Sequence, residues 1–133
     1  MNLQVFTDGA SRGNPGDAGI GVVIKHDGKI VKEIYAYIGK QTNNYAEYAA
    51  AIRGLTEAIT LGATSVELFC DSELLIKQFN REYRVKNQSI IPLFAKLNEL
   101  ARKIKKITAT HIYRELNKEA DKLANIGIDS KKF

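Results

Sequence analysis

Hydrophobic positions along the chain change their period several times, and the changes divide it into elements. Leu3, Val5 and Phe6 read as a short apolar strand, which Gly9, Gly13, Pro15 and Gly16 stop and turn into a tight loop. An acid, Asp8, stands at the end of that strand. AGIGVVIKHDGKIVKEIYAYI predicts two further strands joined at Asp27-Gly28, a pair suited to the positive φ angles of a type I′ turn. The period then lengthens: Tyr45, Ala49, Ile52, Leu55 and Ile59 recur at helical spacing, and Gly62 is placed to end that helix. SVELFC is a strand closing on Asp71, and SELLIKQFNREY a short helix. IIPLFAKLNELARKIKK is a longer helix with Pro92 near its first turn, ITATHIY a strand, and NKEADKLANIGI a last helix.

The order βββαβααβα predicts an α/β chain, a mixed sheet with helices packed on it. A right-handed crossover through the first helix lays the fourth strand beside the first and parallel to it. Asp8 and Asp71 then become neighbours at the carboxyl ends of two strands, where crevices form in such sheets.

Composition narrows the class. A chain of 133 residues, 44% hydrophobic and 26% charged, is expected to be one domain, 1–133, with a real core, and no repeat or linker divides it. One cysteine excludes an internal disulfide. The N-terminus shows neither a secretory apolar region nor a run able to span a bilayer, so a cytoplasmic location and no membrane association are expected. The net charge of +5 favours a polyanionic partner, although charge alone identifies none.

Two more acids bear on the crevice. Glu47 has Ala50, Ala51 and Gly54 as its i+3, i+4 and i+7 neighbours, a small-residue face that lets the helix approach the sheet and lean the acid toward it. The other reading is an acid complementing a positive helix N-terminus. Asp121 has the same two readings, with Asn117 as the expected N-cap of its helix. Four carboxylates converging in one crevice cannot all stay ionised without a compensating cation. All-oxygen ligands suit Mg²⁺ or Mn²⁺, and one Cys with two separated His argues against zinc. Two such ions about 4 Å apart are a known arrangement for hydrolysing a nucleic-acid backbone.

The stretches TDGASRGNPG, NNYAEYAA, LFCDSELL and HIYRELNKEADKLAN, in this order and spacing, resemble type 1 ribonuclease H. The resemblance runs from about residue 3 to residue 127. It implies the ribonuclease H-like fold: a five-stranded mixed sheet, three strands antiparallel and two parallel, with helices on both faces. It also implies internal cleavage of the RNA strand of an RNA–DNA hybrid, dependent on two Mg²⁺ or Mn²⁺ ions, leaving a 3′-hydroxyl and a 5′-phosphate. Double-stranded RNA is a second candidate substrate, and a monomer is expected. Asp8, Glu47, Asp71 and Asp121 match the family's metal-binding catalytic carboxylates. Gly9, Asn14, Pro15, Gly16, Asn43 and Asn44 match positions that approach the hybrid, where an amide can both donate to and accept from a 2′-hydroxyl. Helix capping is the other reading for Asn43 or Asn44. Thr42 and Asn87 match a pocket for a phosphate of the DNA strand. Ser72 belongs to the substrate set as well, with capping of the next helix as its simpler reading.

The chain also departs from the pattern. It has no Trp, and NREYRVKNQSII passes compactly into the next helix where many members carry a basic protrusion. Lys77, Arg81, Arg84 and Lys86 remain as candidate phosphate contacts. The loop before the last helix lacks the mobile histidine of many members, and Arg114 or Glu115 could take its role. His111 lies inside the predicted strand and reads as structural, His26 as surface, and Cys70 as a small core residue facing away from Asp71. A binding module of the same fold without activity is the alternative function. A 3′ to 5′ exonuclease is a third, which usually has a second acid where this chain has Ala10.

Overall fold

The computed structural model of the chain describes residues 1–131. Three strands, β1 (Asn2–Ser11), β2 (Gly16–His26) and β3 (Lys29–Gln41), are followed by α1 (Asn43–Thr60) and β4 (Ser65–Cys70). Then come α2 (Glu73–Phe79), α3 (Ile91–Arg102), β5 (Lys106–His111), a 3₁₀ turn (Arg114–Leu116) and α4 (Lys118–Ser130). The sheet order is β3-β2-β1-β4-β5. β1 pairs antiparallel with β2 and parallel with β4, and β4 pairs parallel with β5, so the expected five-stranded mixed sheet is the one observed. Asp27 and Gly28 carry φ angles of 52° and 79° at the β2–β3 turn, as a type I′ hairpin requires.

Alternation along the strands gives each face of the sheet its own partner. Leu3, Val5, Val22, Ile24 and Leu68 form one core with Tyr48 and Leu55 of α1 and Leu97 of α3. A Cβ at Gly54 would meet Val5 and Thr7, which shows how close α1 lies to β1. On the opposite face α4 lies directly on β2, because Gly19 and Gly21 carry no side chain to hold it off.

Several boundaries differ from the sequence reading. β1 does not stop at Gly9 but runs to Ser11, since antiparallel pairing to β2 continues through Gly9↔Ile20 and Ser11↔Ala18. Gly9 serves close approach instead of termination: its Cβ would stand 2.1 Å from the Ala46 carbonyl carbon. α2 ends at Phe79, not Tyr83, because Arg81 turns left-handed (φ 64°) and the N–H groups of Glu82 and Tyr83 fold back onto the Lys77 carbonyl. α3 stops at Arg102, and β5 stops at His111 with Tyr113 beyond it.

Gly21→Ala is expected to destabilise the protein by more than about 2 kcal/mol, because the new methyl meets the Ala120 carbonyl oxygen at 2.1 Å and the Ala124 nitrogen at 2.6 Å. Gly28→Ala meets nothing within 4 Å and should cost only the left-handed backbone penalty, about 1 kcal/mol. Urea denaturation of the two variants checks the ranking.

Candidate active site

The parallel β1–β4 ladder ends at Thr7↔Cys70, so Asp8 and Asp71 are the first residues past it on their two chains. The sheet changes direction here, since β1 continues upward paired only with β2. Asp8 is 5% exposed and Glu47 8%, while Asp71 is half-buried. Glu47 comes from the second turn of α1, and its Oε1 accepts the Gly9 N–H at 2.9 Å. One carboxylate oxygen from each of Asp8, Glu47 and Asp71 lies within 4.8 Å of the others, a group able to hold a metal ion. Cys70 is buried on the core side, facing away from this cluster.

Asp121 approaches Asp8 from α4. Asn117 holds the expected N-cap position of that helix, but its side chain makes no capping bond. The Asn117 side chain is buried and donates Nδ2–H to the Thr7 carbonyl at 2.9 Å, which ties the start of α4 to β1 one residue before Asp8. Arg114 in the 3₁₀ turn sets its Nη2 3.9 Å from Asp121 Oδ1.

Burial pushes the Asp8 carboxyl far above the usual carboxylate range, and the charges of Glu47 and Asp71, with Asp121 beside it, push in the same direction. Glu47 is also raised by burial, against the opposing pull of the Gly9 N–H and the Arg114 charge. The protein alone therefore holds protons at a site whose donors are all oxygen. That donor set fits a hard divalent cation, which would displace those protons.

The acids stand in a cleft of about 860 Å³. Asp8, Gly9, Asn14, Asn43, Glu47, Asp71, Arg114 and Asp121 all line it. Asn14 Oδ1 accepts the Asn43 N–H at 3.1 Å, joining the glycine-rich loop to the first residue of α1. Pro15, Gly16, Thr42, Asn44, Ser72 and Asn87 lie outside that lining. Thr42, not Asn43 or Asn44, caps α1, with Oγ1 accepting the Tyr45 N–H. Ser72 caps α2 in the same way through Leu75, and Asn87 Oδ1 accepts from Ser89 in the turn before α3. Lys77 is engaged with Glu73 and Tyr83.

Arg12, Tyr113 and Asn125 also line the cleft, and the sequence reading gave them no role. Asn125 was reachable, because it follows Asp121 by one helical turn and shares its face. His111, read as structural, is a cleft residue too: the alternation that sends Ile107 and Ala109 to the core carries it to the wall at the strand's end. Its ring meets Tyr113 edge-on, with centroids 5.7 Å apart.

A family model described as "Reverse transcriptase-like" matches residues 6–127. A bifunctional protein of Mycobacterium tuberculosis is 36% identical over 132 residues, covering 98% of this chain and 36% of that protein. The chain thus spans about a third of the length of the first curated relatives it matches. The crystal structure of RNase H1 from the halophilic archaeon Halobacterium salinarum is similar at a TM-score of 0.95 and 37% identity, covering 98% of this chain and 99% of that one. LC11-RNase H1, solved in complex with an RNA/DNA hybrid, is similar at a TM-score of 0.92 and 41% identity, covering 96% and 97%.

The raised acids give the metal-free protein a pH dependence with a definite sign. From about pH 4, where unfolded carboxyls ionise, to above neutrality, the folded state binds more protons than the unfolded one, so stability falls as pH rises. In chelator-treated protein, the urea midpoint is expected to drop between pH 5 and pH 8, and Asp8→Asn to reduce that drop. An equal drop in the variant contradicts the assignment of the slope to this cluster.

Proposed function

The chain belongs to the type 1 ribonuclease H family, and from that premise we propose that it cuts the RNA strand of RNA–DNA hybrids internally. The products in this reading carry a 3′-hydroxyl and a 5′-phosphate. The observation that carries the proposal is the triad of carboxylate oxygens, Asp8, Glu47 and Asp71, within 4.8 Å at the switch point of the sheet. Asp121, next to Asp8 across the cleft, completes the acidic set.

In this reading Asp8, Glu47, Asp71 and Asp121 would hold two Mg²⁺ or Mn²⁺ ions. Such ions, when bound, supply water activation and stabilise charge on the phosphodiester oxygens. The chain's own groups set up the rest. Gly9 N–H holds one oxygen of Glu47, a residue that lines the cleft. Asn117 fixes the height of α4 against β1 and hence of Asp121 beside Asp8. Arg114, exposed at the cleft wall, offers a guanidinium to a phosphate close to the acids and takes the part of the missing loop histidine. Asn14 and Asn43 offer amide groups to a 2′-hydroxyl, which distinguishes the RNA strand from DNA. Pro15 and Gly16 shape that loop, Asn44 acts on the RNA strand beside Asn43, Thr42 and Asn87 hold a phosphate of the DNA strand, and Ser72 completes the substrate set. Double-stranded RNA is a candidate second substrate, because it presents the same hydroxyls. In this reading the chain acts as a single ribonuclease H domain, as a monomer in the cytoplasm.

Asp8→Asn and Asp71→Asn are expected to keep the fold and lower hybrid cleavage by about 100-fold or more, the loss of several kcal/mol of charge stabilisation. The check is an internally labelled hybrid with Mg²⁺ or Mn²⁺, together with circular dichroism of each variant. Wild-type rates in either variant overturn the role of the acids. An intact RNA strand with the unaltered protein at high concentration turns the reading into one of binding without cleavage.

A further inference from the structure

The loop between β1 and β2 is held on two sides, and the two anchors lead to different helices. On one side Asn14 accepts the N–H of Asn43, the first residue of α1. On the other, the Arg12 guanidinium forks onto two acceptors one turn apart on α4: Nη1 donates to Asp129 Oδ1 at 2.6 Å and Nη2 to Asn125 Oδ1 at 3.4 Å. Asn125 in turn donates Nδ2–H to the Asp121 carbonyl at 3.0 Å. The far end of the loop is fastened to the same helix, since Asp17 lies 3.3 Å from Lys131 Nζ, accepts the Tyr37 hydroxyl at 2.8 Å, and receives the Arg12 N–H on its carbonyl at 2.9 Å.

Between these anchors the loop folds on itself. A Cβ at Gly16 would stand 2.7 Å from the Gly13 nitrogen, so no side chain can separate the two halves. Ser11 Oγ contacts the Gly13 carbonyl and also donates to the Gln41 carbonyl at 2.8 Å. A segment this closely folded moves as one piece, and its position is decided at its outer contacts. An exposed ion pair is ordinarily a small contribution to global stability. A fork onto two acceptors differs in fixing direction as well as distance, and Lys cannot reproduce it.

We propose that Arg12, through Asp129 and Asn125, is a positioning residue that holds the Arg12–Gly16 loop against α4 so that Asn14 faces the bound nucleic acid. The proposal rests on the reading of the cleft as a hybrid site. Without the fork the loop keeps its ties to α1 through Asn14 and to Lys131 and Tyr37 through Asp17, while the Arg12–Gly13 side between them is released from α4. Substrate affinity suffers, whereas the acids beneath, fixed by the sheet and by Asn117, keep their places.

The test compares Asp129→Ala, Asp129→Asn, Arg12→Ala and the reversed pair Arg12→Asp/Asp129→Arg. For Asp129→Ala, KM for a hybrid is expected to rise about three- to tenfold while kcat changes less than about twofold. Arg12→Ala should raise KM equally, the combined Arg12→Ala/Asp129→Ala variant no further, and the reversed pair should recover most of the loss. If Arg12→Ala raises KM and Asp129→Ala does not, the guanidinium contacts substrate directly and the proposal fails. Hydrogen exchange of the Arg12 amide, which donates to the Asp17 carbonyl at 2.9 Å, gives in the free protein a reading independent of activity: it should quicken in Asp129→Ala and Asp129→Asn while amides in the middle of β1 stay protected. Unchanged exchange overturns the latch even in an active enzyme. Faster exchange in a protein that never cleaves hybrid keeps the latch and removes the functional reading instead.

Discussion

Asp8 is flanked by two glycines, Gly9 after it along β1 and Gly21 opposite it on β2, and each lacks a side chain for the same reason. The space a Cβ would fill at Gly9 is taken by the Ala46 carbonyl, and at Gly21 by the Ala120 carbonyl. Ala46 precedes Glu47, and Ala120 precedes Asp121. Two helices on opposite faces are thus pressed onto the sheet at the backbone of the residue just before each acid. The geometry of the cluster follows from backbone contact, which is far stiffer than any side-chain packing could make it. A side chain at either glycine would lift one helix and carry its acid away from Asp8.

That closeness has an electrostatic cost, and the fold meets it by placement more than by neutralisation. Asp8 and Glu47 are buried beside other acids, which raises both above the ordinary carboxylate range. Cations are few at the cluster: Arg114 stands 3.9 Å from Asp121, and Arg12 is turned toward Asp129 and Asn125. What holds the acids is neutral hydrogen bonding from the backbone, Gly9 N–H to Glu47, and the amide tie from Asn117 to Thr7. Groups of this kind orient a carboxylate without cancelling its charge, and they leave the negative potential available to an incoming cation.

Much of this was legible in the chain and some was not, for identifiable reasons. The βββαβααβα order and the parallel crossover followed from period changes and connection rules, and they sufficed to bring Asp8 beside Asp71. The small-residue face of α1 carried the right implication for Glu47, because helix approach is a local consequence of residue size. Gly9 was misread because a glycine that ends a strand and one that admits a helix look alike until the partner is known. Asn117 holds the expected N-cap position, but the group its side chain binds, the Thr7 carbonyl, is 110 residues away and could not be read from that place. The cleft walls were the least legible part. Arg12 matters through contacts to α4 more than 110 residues away that no spacing along the chain encodes, whereas Asn125, one helical turn after Asp121, lay within reach of the helical period.

The division between the acids and the walls around them is itself physically reasonable. The acids sit at the ends of strands and on helices welded to the sheet, where the sub-ångström order that charge chemistry demands can be kept. In the proposed reading, much of the surface that meets a nucleic acid sits on the β1–β2 loop and at the 3₁₀ turn, with Tyr113 73% exposed and Arg114 at the same edge. Loops can follow the varying width of a helical groove, whereas a strand cannot. Freedom in those loops is useful only within limits, because each residue left mobile must be ordered when a ligand binds. The Arg12 fork and the Asn14 contact restrain the β1–β2 loop from both sides. Among the described residues, the 3₁₀ turn shows the 3.9 Å approach of Arg114 to Asp121 beside its own backbone bonds. Among the described residues the β1–β2 wall of the cleft is thus the more heavily restrained of the two, tied to α1 on one side and to α4 on the other.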